Sequence, residues 1–520
     1  MAKRQNWGSR LGVIMAVAGS AIGLGNFLRF PVQAASNGGG AFMIPYFISL
    51  FLLGIPLMWV EWTLGRYGGG FEHGTAPGVF HTMWAKNRFI KYFGVIGIFG
   101  PLVIFIYYTY IASWTLAYSV FAFTGKYTAA QDQVSMQSFL SAFQGLQKNS
   151  HFSSILPAYV CFLITFTINI SVISYGIRGG IERLCKIAMP LLMIFGILVM
   201  VRVLTLGTPD PSKPTWNLLN GLGFLWNPNF EVLWDAEVWL AAAGQMFFTL
   251  SVGIGVILTY ASYLSKGDDV VLSGLSAVST NEFAEVVIGA SIIIPAAFVF
   301  FGPGQIQSIA QGGAFNLGFV TMPLIFGKII FGAFFGGLWF LLLFLAGITS
   351  SVSLAQPTIA FLEDEFNIGR KRAVTIFGVA TFILCQPAIF LLGHGVVDEL
   401  DFWGGTFCLV LFATIEVILF AWVFGMDKAW EEIHHGADMA VPKIYKFIIK
   451  YITPLCLLII LGRWVYTKGV PTFFMEGVAR ENVPYVLGTR LLLVGMFAAL
   501  AIMVKLAWKR RYGKKGRTAS

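Results

Sequence analysis

The chain has 520 residues, of which 57% are hydrophobic and only 12% charged, with 58 glycines and a net charge of +10. Soluble domains carry about 25% charged residues and about 7% glycine, so the composition excludes a soluble enzyme, a disordered regulator and a secreted disulfide scaffold. The basic residues punctuate apolar segments instead of forming one stripe, which excludes an ordinary nucleic-acid binder and leaves an all-α polytopic membrane protein.

A bilayer core needs about 20 apolar residues per helix, and twelve stretches meet that length, with approximate bounds. The first runs from 11 to 37 behind the basic start MAKRQNWGSR. It meets Arg29 and Pro31 without a small-residue cleavage pattern, so it reads as a retained helix and not as a signal peptide. The next four run over 41–66, 90–122, 154–175 and 181–206. The sixth to tenth run over 238–264, 270–300, 328–362, 373–393 and 402–424, and the last two over 443–467 and 484–508. The longer connections, near 123–153, 207–236 and 301–327, read as loops or short helices, and no linker marks a second domain. With the N-terminus inside, 25 of the 35 lysines and arginines fall in cytoplasmic segments. That asymmetry places both termini in the cytoplasm and makes the tail KRRYGKKGR a topological anchor, with lipid-headgroup attraction as its alternative role.

The five cysteines show no C-x-x-C spacing and read as packing residues, not as a disulfide or metal site. Two spans carry small polar clusters at mid-depth: GSAIGLGN (Gly19 to Asn26) in the first and GQMFFTLSVGIG (Gly244 to Gly255) in the sixth. Clustered glycine, serine and threonine lower helix propensity, and bared backbone survives in a membrane only where it is buried in protein or lines a cavity. The bland alternative is close helix packing through small residues. Breaks at the first helices of two five-helix units, however, fit inverted repeats, because five crossings make the second unit enter from the opposite side.

The strings GSAIGLGNFLRFP, NGGGAFMIPY, IPLMWVEWTLGRY, IYYTYIASW, GQMFFTLS, STNEFAEV, AGITSSVS and DELDFWGGT resemble, in order, the neurotransmitter:sodium symporter family, and its bacterial amino-acid transporters of LeuT fold in particular. The likeness spans nearly the whole chain except the outer loop around 125–155. It implies one transporter domain over 1–520, with repeat one at about 10–206, repeat two at about 237–424, and helices 11 and 12 at about 443–508. The expected activity is sodium-coupled symport of a neutral, hydrophobic amino acid into the cell by alternating access. A homodimer in the cell's inner membrane is compatible with it.

By the same resemblance, a first sodium site uses the Ala21 carbonyl with Asn26, Thr249 and Asn281, completed by the substrate carboxylate. A second uses the carbonyls of Gly19, Ile22 and Ala346 with the hydroxyls of Thr349 and Ser350. Oxygen ligands suit a hard cation, although Thr349 and Ser350 taken alone read as helix-packing polar residues. The substrate is then expected as a zwitterion against Ser20, Ala21, Ile22, Gly23 and Gly25, with Tyr108 donating to its carboxylate. Amine-transporting relatives carry an aspartate where this chain has Gly23, so this site expects the ligand to bring its own carboxylate. The resemblance places Ile104, Phe248, Ser251, Ile254, Ser350 and Leu354 around the side chain and adds Thr249 to the substrate contacts; Ser20 and Ile254 depart from the leucine transporter, leaving leucine, methionine, tryptophan and tyrosine open.

Arg29 and Asp401, with Gln245 beside Arg29, resemble the outer gate, and Tyr108 and Phe248 its aromatic lid. Arg4, Trp7, Tyr263 and Asp364 resemble the inner gate, surface salt bridges being the plain alternative for each pair. Glu61 is expected to brace the unwound first helix by accepting backbone N–H groups. Glu285 stands where chloride-dependent relatives have a small hydroxyl residue, which implies that chloride is not required.

No nucleotide-binding loop is present. Two sodium ions, each falling through a tenfold gradient (about 1.4 kcal/mol) and 100 mV (about 2.3 kcal/mol), supply roughly 7 kcal/mol, enough for accumulation on the order of 100,000-fold. Three rival readings remain: a proton-coupled carrier driven through Glu285, Glu61 or Glu416, a non-transporting amino-acid sensor or channel, and a membrane enzyme, for which no metal or nucleophile motif is found.

Overall fold

The computed structural model describes residues 5–512. Ten continuous helices among them are long and apolar enough to cross a membrane. They are Met43–Gly69, Ile90–Thr124, Leu156–Ser174, Ile177–Leu204, Val271–Phe301, Gly332–Phe366, Arg370–Phe390, Val396–His434, Ile444–Phe473 and Arg480–Arg511. Two interrupted helices complete twelve spans. The first consists of Arg10–Ala21 and Gly25–Ser36, bent by 47°. The sixth consists of Ala236–Leu250 and Val256–Ala261. Each expected stretch therefore corresponds to one span, with ends shifted by several residues because hydropathy does not register the polar turns that continue a helix into the interface.

The breaks have local causes. The first span starts at Ser9, whose side chain accepts from the Gly12 N–H, and stops at Ala21, where Ile22 turns extended (φ −74°, ψ 95°). A Cβ on Gly23 would stand 2.9 Å from Tyr108 Oη and 3.0 Å from Ser350 Oγ, so a larger residue here would have to displace these two hydroxyls. In the sixth span Ser251, Gly253 and Gly255 take φ of 52°, 78° and 77°. Glycine reaches that region freely. At Gly255 it also permits close approach, since a Cβ would lie 2.5 Å from the Gly97 carbonyl oxygen.

The two interrupted spans sit inside the bundle, where other helices supply partners for the freed backbone. Spans 3 and 8 pack along each other, and the most apolar stretch of each is 89% buried, against 22% and 28% for spans 11 and 12. The outer connections contain the short helices Gln133–Phe143, Leu218–Trp226 and Pro303–Gln311. The five cysteines are all free.

Candidate functional site

The breaks meet each other. Ser251 Oγ donates to the Ser20 carbonyl at 2.9 Å, joining the interruption of span 6 to that of span 1. Around this contact lies a cavity of about 410 Å³, the size of a small-molecule site. Its deep wall includes Ser20, Ile104, Ile254, Ser353 and Leu354, and it extends past Arg29 to Gln33 and Asp398. Of the residues expected around a substrate, Ser20, Ala21, Gly23, Gly25, Ile104, Tyr108, Phe248, Ser251, Ile254, Ser350 and Leu354 all line it. Ile22 and Thr249 are buried and do not line it.

The second half of span 1 begins at Gly25, and the first-turn N–H groups of a helix lack intrahelical partners and favour an anion. Two nearby N–H groups already have side-chain acceptors: Gly23 donates to Asn26 Oδ1 at 2.8 Å and Leu24 to Tyr108 Oη at 3.1 Å.

The residues expected for the first sodium ion converge. Asn26 Nδ2 lies 2.9 Å from Thr249 Oγ1 and 2.8 Å from Asn281 Oδ1, while Asn281 Nδ2 donates to Thr249 Oγ1 at 2.8 Å. Turning the Asn26 amide over would present Oδ1 at the centre of this group, giving an all-oxygen set beside the end of the first half-helix at Ala21. The second set also converges. Ser350 Oγ is 3.4 Å from both the Gly19 and the Ile22 carbonyl oxygens, and Thr349 Oγ1 is 3.1 Å from the Ala346 carbonyl. Span 8 thus brings the Ser350 hydroxyl to the carbonyls that the first break releases, with Thr349 beside it in the chain.

Glu285 is fully buried and crowded with donors. It accepts from Asn26 Nδ2 at 2.7 Å, Gln245 Nε2 at 3.0 Å, Tyr46 Oη at 3.0 Å and the Thr249 hydroxyl. Its carboxylate therefore sits one side chain away from the first sodium set. Tyr46 was not singled out from the sequence beyond its place in NGGGAFMIPY; its role depends on span 2 lying against span 7. Tyr107 and Ser353 were missed for the same reason, each lying next to or near a residue that was identified.

Three placements differ from expectation. Gln245, expected beside Arg29, directs its amide to Glu285. Arg29 and Asp401 both line the cavity, but among the described residues they form no direct ion pair. The Arg29 guanidinium instead lies 3.4 Å over the Phe248 ring, and Asp401 accepts from the Tyr107 hydroxyl. Glu61, expected to brace span 1, accepts the Gly253 N–H of span 6. The physical reason is that the left-handed turn at Gly253 bares an N–H pointing at span 2, whereas Gly23 and Leu24 find acceptors in Asn26 and Tyr108.

At the opposite end of the molecule Arg4 lies outside the described residues. Trp7 Nε1 donates to the Tyr260 carbonyl at 2.9 Å, and Tyr263 accepts from Gln356 Nε2 at 2.8 Å. Gln356 Oε1 in turn accepts from Arg370, which pairs with Glu363 at 2.8 Å. Asp364, next to Glu363 in the chain, is half-buried. Arg10 bridges Asp269 and Asp438. These contacts close the end nearest the termini, while the cavity reaches toward the other end.

A model of the sodium:neurotransmitter symporter family matches residues 4–141 and 127–509. The chain is 31% identical over 458 residues to an uncharacterised sodium-dependent transporter of Methanocaldococcus jannaschii, covering 88% of this chain and 89% of that protein. It is 28% identical over 469 residues to an uncharacterised sodium-dependent transporter of Haemophilus influenzae, covering 88% and 97%. Among solved structures, the crystal structure of MhsT in complex with L-phenylalanine is similar at a TM-score of 0.74 and 31% identity, covering 88% of this chain and 99% of that one.

Proposed function

The chain belongs to the sodium:neurotransmitter symporter family, a family of secondary transporters and not of enzymes, and from that premise we propose that it imports a neutral, hydrophobic amino acid together with two sodium ions, without chloride. The observation that carries this reading is the junction of the two broken spans, where Ser251 of one bonds to Ser20 of the other inside an apolar cavity. Backbone carbonyls, amide and hydroxyl oxygens gather on one side of that junction and a helix N-terminus on another. Such a site suits a cation and a zwitterion held side by side.

Asn26, Thr249 and Asn281 with the Ala21 carbonyl form the first sodium site, and the substrate carboxylate is its remaining ligand. Gly19, Ile22, Ala346, Thr349 and Ser350 form the second. Sharing one ligand between ion and substrate makes each raise the affinity of the other by the same factor. The MhsT complex supports an amino-acid substrate, since that relative holds L-phenylalanine. The cavity's extension past Arg29 and Asp401 supports an outward-open arrangement, with both termini cytoplasmic and the gate pair drawn together when substrate enters. The two repeats fall at about 10–206 and 237–424. The carrier sits in the plasma membrane.

The test is a binding screen of the twenty amino acids on the purified protein, in sodium and in a sodium-free buffer. Saturable binding of hydrophobic amino acids in sodium alone is expected. A flat response across all twenty overturns the proposal. Counterflow in liposomes then separates a carrier from a sensor, because only a carrier exchanges internal for external substrate.

A further inference from the structure

The wall of the cavity contains a serine hydroxyl with an unused acceptor position. Ser20 Oγ and Ser353 Oγ lie 2.7 Å apart, both serines are buried, and both line the cavity. A hydroxyl carries one proton and two acceptor positions. Ser353 Oγ is also 2.7 Å from the Ser350 carbonyl oxygen, which is able only to accept, so the Ser353 proton has an acceptor other than Ser20. With the Ser353 proton directed at that carbonyl, Ser20 donates between the two serines; in either arrangement Ser20 Oγ keeps at least one unused acceptor position. Among the described residues no other donor is directed at it.

Neighbouring hydroxyls do not supply one. Ser251 and Ser350 direct their protons at the Ser20 carbonyl oxygen, at 2.9 and 3.1 Å. The rest of this wall is apolar, formed by Ile104, Ile254, Leu354 and Leu409. Ser20 Oγ keeps its bond to Ser353 and offers its remaining acceptor position to the cavity, and a site built around a polar atom rejects ligands that lack the complement far more strongly than an apolar pocket rejects an extra group.

Resting on the reading that the cavity holds a zwitterionic amino acid, we infer that the preferred side chain is an aromatic ring carrying one hydrogen-bond donor, an indole N–H or a phenol O–H, given to Ser20 Oγ. The apolar wall selects for the ring. A short hydroxyl side chain would leave that wall uncovered. An amide or guanidinium side chain would bring further polar groups that Ile104, Ile254 and Leu354 do not satisfy. Phenylalanine and leucine fit the wall and leave that acceptor position of Ser20 unused.

The experiment measures sodium-dependent dissociation constants for L-tyrosine, L-phenylalanine, L-leucine, L-tryptophan and 3-benzothienyl-L-alanine, the last replacing the indole N–H by sulfur at nearly constant shape. Tyrosine is expected to bind tighter than phenylalanine, or tryptophan tighter than its sulfur analogue, by roughly tenfold or more. In Ser20→Ala that ratio is expected to fall to about one. The wild-type comparison between isosteres needs no variant, so a poorly folding Ser20→Ala leaves the outcome readable. Equal or tighter binding of phenylalanine and of the sulfur analogue overturns the inference while leaving the carrier reading intact, and so does a ratio unchanged in Ser20→Ala. Absence of sodium-dependent binding by all five removes the carrier reading itself, and this inference with it.

Discussion

Asn26 of span 1 donates its side-chain amide to Glu285 of span 7 at 2.7 Å, so a carboxylate lies against the residue proposed to hold the first sodium ion. This contact places an ionisable carboxyl group, which can carry the compensating charge when a cation binds, where a mobile anion would otherwise be needed in a site of low dielectric. Wild-type uptake is therefore expected to be the same in chloride and in gluconate. Glu285→Ser keeps a hydroxyl for Tyr46, Gln245 and Asn26 to face but removes the charge. Its uptake should become chloride-dependent by roughly tenfold, the equivalent of about 1.4 kcal/mol. Strict chloride dependence of the wild type would sink the idea.

Glu61 of span 2 is fully buried and accepts the N–H of Gly253 in the break of span 6. Glu61→Ala leaves that N–H buried without an acceptor, which costs about 1 to 3 kcal/mol. The thermal midpoint in detergent and the substrate affinity should both fall, because the break also positions Ser251. Glu61→Gln retains an acceptor oxygen and should recover most of the loss; identical behaviour of the two variants would contradict the bracing role.

Thr349 Oγ1 lies 3.1 Å from the Ala346 carbonyl oxygen, and a Cβ built on Gly19 would stand 3.3 Å from Thr349 Cβ. Thr349→Ala removes one of two hydroxyl ligands from the proposed second sodium site. Half-saturation by sodium should rise by roughly tenfold, with the steepness of the sodium titration falling from two ions toward one. A titration of unchanged midpoint and slope would remove Thr349 from the ligand set.

At the end nearest the termini, His73 Nδ1 lies 2.6 Å from Glu365 Oε1, and Arg511 Nη1 of span 12 lies 3.2 Å from Glu365 Oε2. The Glu365 side chain is 0% exposed, so it is shielded from water and Arg511 is its basic partner. Truncating one member of a buried pair typically costs about 3 to 5 kcal/mol. Glu365→Ala should lower the thermal midpoint markedly, whereas Glu363→Ala, at a partly exposed pair, should have a much smaller effect.

His81 lies in the short helix Ala76–Met83 between spans 2 and 3, edge-on to Trp508 with ring centroids 5.6 Å apart. Desolvation first, then Lys91 and His73, lower its pKa below 6.5. The folded protein resists taking up that proton while the unfolded chain binds it, so stability is full above pH 6.5 and falls as pH drops through it. Melting curves between about pH 8 and pH 5 should show this decline, with a shallower slope in His81→Gln. An equal slope in both proteins would assign the decline to other groups.

Much of this organisation is legible along the chain. Twelve apolar runs give twelve spans because each helix satisfies its own backbone and needs only local hydropathy. The clusters Gly19–Gly25 and Ser251–Gly255 mark the two breaks because propensity and the left-handed region are properties of a few consecutive residues. The oxygen-bearing side chains of Asn26, Thr249, Asn281, Thr349 and Ser350 are likewise visible as types.

The partner of each side chain is a different matter, because it depends on how every helix is rotated about its own axis and on which neighbour it faces. That rotation gave Gln245 to Glu285 and not to Arg29, and set Glu61 on Gly253 of span 6. It laid Arg29 over Phe248 and gave Asp401 to Tyr107. It also brought Ser20 and Ser353 together across 333 positions of sequence, which no periodicity within either span encodes. Local chemistry determined what the chain is made to hold; packing between spans decided which atoms are turned toward it.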